Sequence, residues 1–348
     1  IGPGDEVLLQ VPTHIVVPNA IRHAGARPVY VDCRLDSYNM DMEQAERLIT
    51  PRTKALVLQH TFGIPADLDA ARTLAQRHNL ALIEDCVHAL GATYAGRQVG
   101  SFGRAAFFST EETKTISTTM GGMVVTDDPE LAAGIQAFQG TCAWPSTWLI
   151  SRYLVKLVAY HMLTEPHAHH YSRALYELLG RRQPLPTPTT DEELRGVWPA
   201  NCEERLSNAQ AALALRQLRR LDANLAHRRV TAHAYSQQLA AWGFDAPRPP
   251  AGAEPAFVRY PVWVTDRVAA MRSLAPHAVP GTWFTSVLEE AVSPEYGDYH
   301  MGACPRAEAA AQHLINLPTH SRVSRQDVEA IVTAVAGAAA PRPASPAR

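Results

Sequence analysis

The chain has 348 residues, which is enough for one large domain or two ordinary ones with a sizeable buried core. Hydrophobic residues make up 46% of it and charged residues 19%, a composition that excludes a wholly disordered chain. The formal net charge at pH 7 is −2, which argues against a general nucleic-acid-binding protein because such proteins carry a basic surplus. The five cysteines are scattered and form no C-x-x-C pair, which predicts a reduced, cytoplasmic protein without a disulfide framework or a metal site.

The first part of the chain alternates short apolar runs with helical stretches. Strands are predicted at 7–11, 28–32, 55–60, 81–85, 105–109 and 122–126, and clear helices at 42–49 and 68–78. Strands that alternate with helices in this way indicate crossover units and a mainly parallel sheet. Because ligands of such sheets bind beyond the carboxyl ends of the strands, the polar residues that end these strands are candidate site residues.

The character of the sequence changes between residues 141 and 200. Residues 148–163 form an apolar stretch with helical spacing, which we expect to pack on the body of the protein or on a second subunit. An interfacial membrane helix is the alternative, since Arg152 and Lys156 interrupt the stretch. The histidines at 161, 167, 169 and 170 are interpreted as a solvated turn, and the prolines at 184, 186 and 188 predict an extended connector.

The last third of the sequence predicts a second, smaller unit. A long helix is predicted at 208–221, followed by a mixed unit with a strand at 258–264 and a helix at 325–335. The predicted division is a large domain at 1–140, a helical insertion and connector at 141–200, an interdomain helix at 201–225, a small domain at 226–336 and a disordered tail at 337–348.

Four residues in one stretch stand where chemistry is expected. Asp85 ends a buried strand and His88 follows it, while Ser109 ends the next strand and Lys114 comes five residues later. Pyridoxal phosphate needs a lysine amine for a Schiff base, a carboxylate to keep its pyridine nitrogen protonated, and donors for its phosphate. Lys114, Asp85 and Ser109 supply these three groups.

The order of several blocks makes the sequence resemble the DegT/DnrJ/StrS family of nucleotide-sugar aminotransferases. These enzymes are fold-type I pyridoxal phosphate enzymes of the aspartate aminotransferase superfamily. The matching blocks are GDEVLL (4–9), GARPVYVD (25–32), ITPRTKALVLQHTFGIPADLDA (49–70), IEDCVHALGATYAGRQVGSFGRAAFFST (83–110), GGMVVTDDPEL (121–131), RLSNAQAALALRQL (205–218) and CPRAEAAAQHLINLPTH (304–320). The resemblance implies an α/β fold, with a mainly parallel sheet in the large domain and a smaller α+β C-terminal domain.

The resemblance also implies roles for five residues of this chain. Lys114 would be the Schiff-base lysine and proton shuttle, and Asp85 would pair with the pyridine nitrogen. His88 would lie near the phenolic oxygen of the cofactor, and Ser109 would contact its phosphate. His14 falls at the position of an aromatic residue that stacks on the cofactor ring.

The function implied by the resemblance is transfer of an amino group from glutamate to a keto group of a nucleotide-linked sugar. The family also implies a homodimer with shared active sites. Two departures keep alternatives open: the family's phosphate-binding Gly-Ser/Thr-x-Ala loop would lie before residue 1, and Glu203 stands where the family has an asparagine that reaches the partner's phosphate. Nearby Asn201 and Asn208 are the candidates for that contact. The alternatives are a different keto substrate, such as an aminocyclitol precursor, and a non-catalytic relative that acts as a binding partner.

Overall fold

The computed structural model describes residues 1–163, 189–199, 202–281 and 283–343. Its strands are β1 (Glu6–Gln10), β2 (Thr13–His14), β3 (Arg27–Val31), β4 (Thr53–Gln59), β5 (Ala81–Asp85), β6 (Thr93–Tyr94), β7 (Arg97–Gln98), β8 (Ala105–Ser109), β9 (Gly122–Val125), β10 (Ala253–Glu254), β11 (Arg259–Trp263), β12 (Leu288–Glu289) and β13 (Leu314–Pro318). Its helices are α1 (Val16–His23), α2 (Met42–Arg47), α3 (Leu68–His78), α4 (Pro129–Thr141), α5 (Thr147–Leu163), α6 (Asp191–Leu194), α7 (Asn208–Leu218), α8 (Leu221–Ala240), α9 (Arg267–Leu274), α10 (Pro305–His313) and α11 (Arg325–Ala338).

The centre of the fold is a six-stranded sheet in the order β3-β1-β4-β5-β8-β9. The first five strands are parallel to their neighbours and β9 is antiparallel to β8, so the predicted mainly parallel α/β sheet is confirmed. The six predicted strands are present, and the bounds of β5 and β8 agree with the prediction. Apolar residues of β1 and β4 are buried on both faces of the sheet, which explains why these strands read as continuous apolar runs.

Helix α3 shows how the sequence sets the local structure. Asp67 caps its first turn by accepting a hydrogen bond from the Ala70 N–H, and the helix ends at Asn79 in the left-handed conformation. The apolar positions Leu68, Ala71, Leu74 and Ala75 recur at helical spacing, and all four are buried against the sheet. The predicted helix at 68–78 is thereby confirmed.

The C-terminal unit has its own core. Strands β11 and β13 pair antiparallel, and helices α8, α9 and α11 pack on them around buried residues such as Tyr235, Val262 and Ile331. The prediction of one helix over 208–221 was wrong at its end, because the chain turns at Arg219 and Arg220 and continues as the separate 20-residue helix α8. The run of helix-forming residues across this turn hid the break.

The predicted apolar helix at 148–163 is confirmed as α5. Lys156, one of the two charges that interrupt it, forms a 2.9 Å ion pair with Glu112, and the Tyr153 carbonyl accepts a hydrogen bond from the Thr119 hydroxyl. Helix α5 therefore docks on the loop that follows β8. Within the described residues, no helix is long and apolar enough to cross a bilayer.

Some predictions fall outside the described residues. These include the histidines at 167, 169 and 170, the proline-rich connector at 184–188 and the last five residues of the tail. Helix α11 extends to Ala338, two residues into the segment predicted as a disordered tail. The proposed domain boundaries remain a prediction.

Asp32 joins the two parts of the fold. Its buried carboxylate accepts hydrogen bonds from the backbone N–H groups of Arg306 and Ala307, at the start of α10, and from the Arg306 guanidinium. A residue 274 positions away in the chain therefore caps this helix.

We expect Asp32→Ala to lower the free energy of unfolding by about 2–4 kcal/mol, because it leaves buried N–H groups without an acceptor. Urea denaturation followed by circular dichroism measures the change. Asp127→Ala, at an exposed position, is the control and should lie within about 0.5 kcal/mol of the wild type. Equal stabilities of the Asp32 and Asp127 variants would contradict the capping role.

Candidate active site

Asp85 lies at the carboxyl end of β5, next to β8, and is fully buried. Its Oδ1 atom accepts a hydrogen bond from the Val87 N–H at 3.1 Å, whereas its Oδ2 atom has no hydrogen-bond partner among the described residues. Burial raises the pKa of this carboxyl to about 6, against the lowering effects of that hydrogen bond and of nearby His60, Lys114 and His14. A buried carboxylate oxygen without a partner is costly, so this atom is suited to meet a protonated group of a ligand.

Lys114 and His88 form the centre of the site. The Lys114 Nζ atom lies 3.4 Å from His88 Nε2, and His88 Nδ1 accepts a hydrogen bond from the Phe62 N–H. Because Nδ1 is an acceptor, the hydrogen of the neutral ring is assigned to Nε2, where it points to the lysine amine. Burial lowers the pKa of His88 well below its usual value and also lowers the pKa of Lys114. The pair is therefore biased towards its neutral forms, which suits a lysine that accepts protons.

The indole of Trp283 covers this pair. It stacks on the His88 ring at 4.5 Å between ring centres, and the Lys114 Nζ atom lies 4.2 Å from the indole centre. The sequence analysis missed Trp283, which follows Lys114 by more than 160 positions in an irregular loop. Neither periodicity nor a local motif marks this residue.

His14 reaches the site through an unusual strand pair. β2 and β12 run parallel, and the pairing of His14 with Glu289 brings Glu290 next to it. His14 Nε2 lies 3.2 Å from a Glu290 carboxylate oxygen, and His14 Nδ1 accepts a hydrogen bond from the Val16 N–H. Burial acts to raise the pKa of Glu290, but hydrogen bonds from His14 and Thr189 outweigh it and lower the pKa. Glu290 was also missed by the sequence analysis.

Ser109 ends β8, the neighbour of the strand that carries Asp85. Its hydroxyl oxygen accepts a hydrogen bond from the Glu111 N–H at 3.2 Å. The hydroxyl hydrogen takes part in no bond recorded within the described part of the chain, so it can be donated to an anion. The structure thus brings Asp85, His88, Lys114 and His14 together and places Ser109 at the same sheet edge.

Glu203, which stands where the family has an asparagine, makes none of the contacts described above for the candidate site. Glu203 is exposed, and its backbone carbonyl accepts a hydrogen bond from the Ala143 N–H. Asn208 is the exposed first residue of α7, and Asn201 is outside the described residues. The phosphate contact considered for these asparagines stays a prediction.

A second buried cluster is structural. Ligand atoms of His60, Glu84 and Cys86 lie within 4.8 Å of one another, a spacing that a metal ion could bridge. Both Glu84 oxygens, however, accept backbone N–H groups of the 100–103 turn. His60 Nδ1 accepts the Ala66 N–H, so its Nε2 hydrogen faces Glu84 at 3.2 Å. The cluster is already satisfied by hydrogen bonds and fixes the turn after β7.

A comparison of the sequence with models of protein families identifies the family of this chain. The model of the DegT/DnrJ/EryC1/StrS aminotransferase family matches residues 1–336. The chain belongs to the DegT/DnrJ/EryC1/StrS aminotransferase family. The resemblance read from the sequence is therefore confirmed, and the chain is an aminotransferase.

Individual relatives agree with this membership. GDP-perosamine synthase of Caulobacter vibrioides is 31% identical over 340 residues, which are 96% of this chain and 79% of that protein. A UDP-N-acetyl-3-dehydro-alpha-D-glucosamine 3-aminotransferase of Acidithiobacillus ferrooxidans is 28% identical over 96% of this chain and 78% of its own length. Among solved structures, DesV of S. venezuelae in complex with a ketimine intermediate has a TM-score of 0.73 at 29% identity, covering 97% of this chain and 79% of DesV. The similarity confirms the fold-type I α/β fold, and the family implies pyridoxal phosphate as the cofactor.

The buried carboxyl of Asp85 makes stability depend on pH. Because its pKa in the folded protein, about 6, lies above the ordinary 3.8, the folded state binds this proton more tightly than the unfolded state. The resulting stabilisation is present below about pH 4 and is lost as the pH rises through 6. We expect Asp85→Asn, which keeps an acceptor for the Val87 N–H, to gain up to about 3 kcal/mol relative to the wild type between pH 4 and pH 8.

Urea denaturation of cofactor-free protein at several pH values measures this gain. Glu43→Gln, at an exposed helix position, is the matched control. A constant stability difference between the Asp85 variant and the wild type across this pH range would show that the carboxyl is not held in an unfavourable site.

Proposed function

We propose that this aminotransferase moves an amino group from glutamate to a keto group of a nucleotide-linked sugar, with Lys114 as its catalytic residue. The observation that carries the proposal is the Lys114 amine, which lies next to His88 and is subject to the charge of the buried Asp85 carboxylate. Burial, with a cation nearby, lowers the pKa of this amine. An amine with a lowered pKa can accept a proton near neutral pH and return it.

The site fits pyridoxal phosphate. Asp85 Oδ2, buried and without a partner within the described chain, is suited to a protonated ring nitrogen, and the Ser109 hydroxyl is a donor suited to the phosphate. His88 would lie near the phenolic oxygen, and His14 would stack on the ring. When bound, pyridoxal phosphate supplies an aldehyde carbon for the amino group and a ring that accepts electrons.

The residues of the chain handle the protons. Lys114 takes a proton from the α-carbon of the amino donor and delivers one to the carbon that receives the amino group in the second half of the reaction. The His88 Nε2–H group and the face of the Trp283 ring hold the free lysine amine in position. The Asp85 carboxylate would hold a proton on the ring nitrogen of the cofactor and stabilise the positive charge there.

The substrate class comes from the relatives. Two of them are named for products or substrates that are sugars linked to GDP or UDP, and both are similar over 96% of this chain. Glutamate as the amino donor is taken from the resemblance described above. A keto compound of a different kind, such as an aminocyclitol precursor, is an outcome that the substrate screen below can detect.

A homodimer with shared active sites is part of the proposal. Strand β9, helices α4 and α5 and the segment between these two helices leave apolar side chains exposed, and α4 has no buried residue. These exposed side chains are Val124, Val125, Phe138, Trp144, Trp148, Leu154, Val155 and Val158. An apolar surface of this extent next to the site supports a second copy of the chain as its occupant. We also propose a cytoplasmic location, which the five free cysteines support.

We expect Lys114→Ala to reduce amino transfer by about 10³-fold or more, because no other group of the site replaces the amine as proton carrier. The assay measures 2-oxoglutarate released from glutamate with a panel of keto-sugar nucleotides and one keto-cyclitol. Lys54→Ala, which removes an exposed lysine, should match the wild type. Undiminished turnover by the Lys114 variant would refute the assignment, and activity with the keto-cyclitol alone would replace the proposed substrate class.

The dimer has its own test. We expect the double variant Trp148→Asp and Val155→Asp to sediment as a monomer and to lose activity, because buried charges oppose association. Val268→Asp, at an equally exposed apolar position on α9, should remain dimeric. Sedimentation velocity distinguishes the species, and a wild type that is monomeric and fully active would contradict the proposal.

A further inference from the structure

We propose that Glu290 is a positioning residue of the candidate active site, which holds the imidazole of His14 in the orientation that lets the face of its ring contact the cofactor. The inference rests on the proposed function, in which His14 would stack on the ring of pyridoxal phosphate. Glu290 itself is assigned no contact with the cofactor or with a substrate, since it would act through the histidine.

The ring of His14 is fixed through both of its nitrogens. Nδ1 accepts a hydrogen bond from the Val16 N–H at 3.3 Å, so the hydrogen of the neutral ring is assigned to Nε2. Nε2 lies 3.2 Å from a Glu290 carboxylate oxygen, which accepts that hydrogen. Because both bonds lie along the edge of the ring, the two partners together fix its plane. The side chain is 31% exposed, and its faces and carbon edge are what remain for a ligand.

The strand pair β2–β12 sets the backbone of both partners. His14 and Glu289 are opposite one another in the parallel register, and the Ile15 N–H donates a hydrogen bond to the Glu289 carbonyl at 3.2 Å. The next residue, Glu290, is therefore held close to the His14 ring although it lies 276 positions later in the chain. The contact is defined by sheet pairing and not by a flexible loop alone.

The backbone conformation of Glu290 is unusual for a residue with a side chain. It is the third residue of a turn in which the Ala291 N–H donates to the Leu288 carbonyl at 3.1 Å, and its φ is +65°. Such a position favours glycine or asparagine, because a Cβ strains the left-handed conformation. The chain nevertheless carries a glutamate here, whose carboxylate accepts hydrogen bonds from His14 and Thr189. Strain that persists beside a candidate site supports a functional constraint on the side chain.

The His14–Glu290 pair lies near the residues that are proposed to hold the cofactor. Burial raises the pKa of Asp85 and lowers that of His88, and His14 is among the neighbours that also act on both groups. Lys114 in turn acts on Glu290. In the proposed site, Asp85 would meet the ring nitrogen and His88 the phenolic oxygen, which are two edge positions of one ring. An imidazole near both groups, with its plane fixed, is suited to lie on the face of that ring.

Calorimetric titration of cofactor-free protein with pyridoxamine phosphate tests the role of Glu290. This probe has no aldehyde, so its affinity reports contacts other than a bond to Lys114. We expect Glu290→Ala to weaken binding about fivefold or more, because the histidine loses its acceptor. Glu290→Gln keeps an acceptor for the Nε2–H group and should stay within about twofold of the wild type. Glu295→Ala, at an exposed position of the same segment, is the control.

The same titration with His14→Phe distinguishes positioning from direct contact. Phenylalanine presents a ring face but has no nitrogen that Glu290 could hold. We expect Glu290→Ala to change the affinity of the His14→Phe protein by less than about twofold, since the effect passes through the histidine. Equal weakening in both backgrounds would overturn the proposal, because Glu290 would then act on the ligand directly. A loss in Glu290→Gln as large as in Glu290→Ala would also overturn it, because the charge and not the acceptor would then matter.

The circular dichroism of the bound cofactor adds a readout that global stability does not move. At saturating pyridoxal phosphate, we expect the cofactor band to be weaker in Glu290→Ala and unchanged in Glu290→Gln. Thermal unfolding midpoints within a few degrees of the wild type show that the variants are folded. Glu290→Gly, which suits the left-handed backbone, replaces Glu290→Ala if the alanine variant does not fold, and should give the same losses.

Failure of this inference and failure of the proposed function give different results. A wild type that transaminates, together with a folded Glu290→Ala variant of unchanged affinity and unchanged cofactor band, would refute the positioning role alone. A wild type without transamination, in which Glu290 and His14 still act together on cofactor binding, would refute only the proposed function.

Discussion

The candidate active site depends on one buried carboxylate, that of Asp85, whose Oδ2 atom has no partner in the described part of the chain. The parallel sheet imposes this position, because β5 lies between two strands and delivers its last side chain to the carboxyl edge. The neighbouring His60, Lys114 and His14 each act to lower the pKa of this carboxyl, but burial outweighs them and raises it. The folded chain thus holds a carboxyl group in an unfavourable environment, and the stability of the rest of the core offsets this free-energy cost. A ligand that donates a hydrogen bond to Asp85 Oδ2 would satisfy the group.

The second requirement is that distant parts of the sequence meet at this edge. Residues 14, 85, 88, 114, 283 and 290 line the site, and their positions come from two units of the fold. The β2–β12 pair brings Glu290 to His14, while Asp32 fixes the start of α10 from the opposite end of the chain. Strand pairing and hydrogen bonds hold the C-terminal unit against the sheet. Trp283 of this unit is thereby placed over Lys114.

The sequence predicts best where local rules decide the structure. Strands β5 and β8 and helix α3 have agreeing bounds because buried runs, an aspartate cap and apolar spacing all act within a few residues. Four of the five predicted site residues lie within 30 positions of one another and could be recognised together. Trp283 and Glu290 could not, because their contacts with His88, Lys114 and His14 arise from tertiary packing, which leaves no periodic or motif-like signal. The turn at 219–220 was missed because residues on both sides favour helix.

The balance of charges around Lys114 supports the proposed role of its amine as both base and acid. Burial lowers its pKa most strongly and Arg259 lowers it further, whereas the carboxylates of Glu111, Asp85 and Glu290 raise it. Burial alone would favour the neutral amine, which can accept a proton. The carboxylates alone would favour a permanently charged ammonium. With both present, the pKa of the amine is lowered from its ordinary value although three carboxylates act on it, which supports the proposed role of Lys114 in taking a proton and returning it.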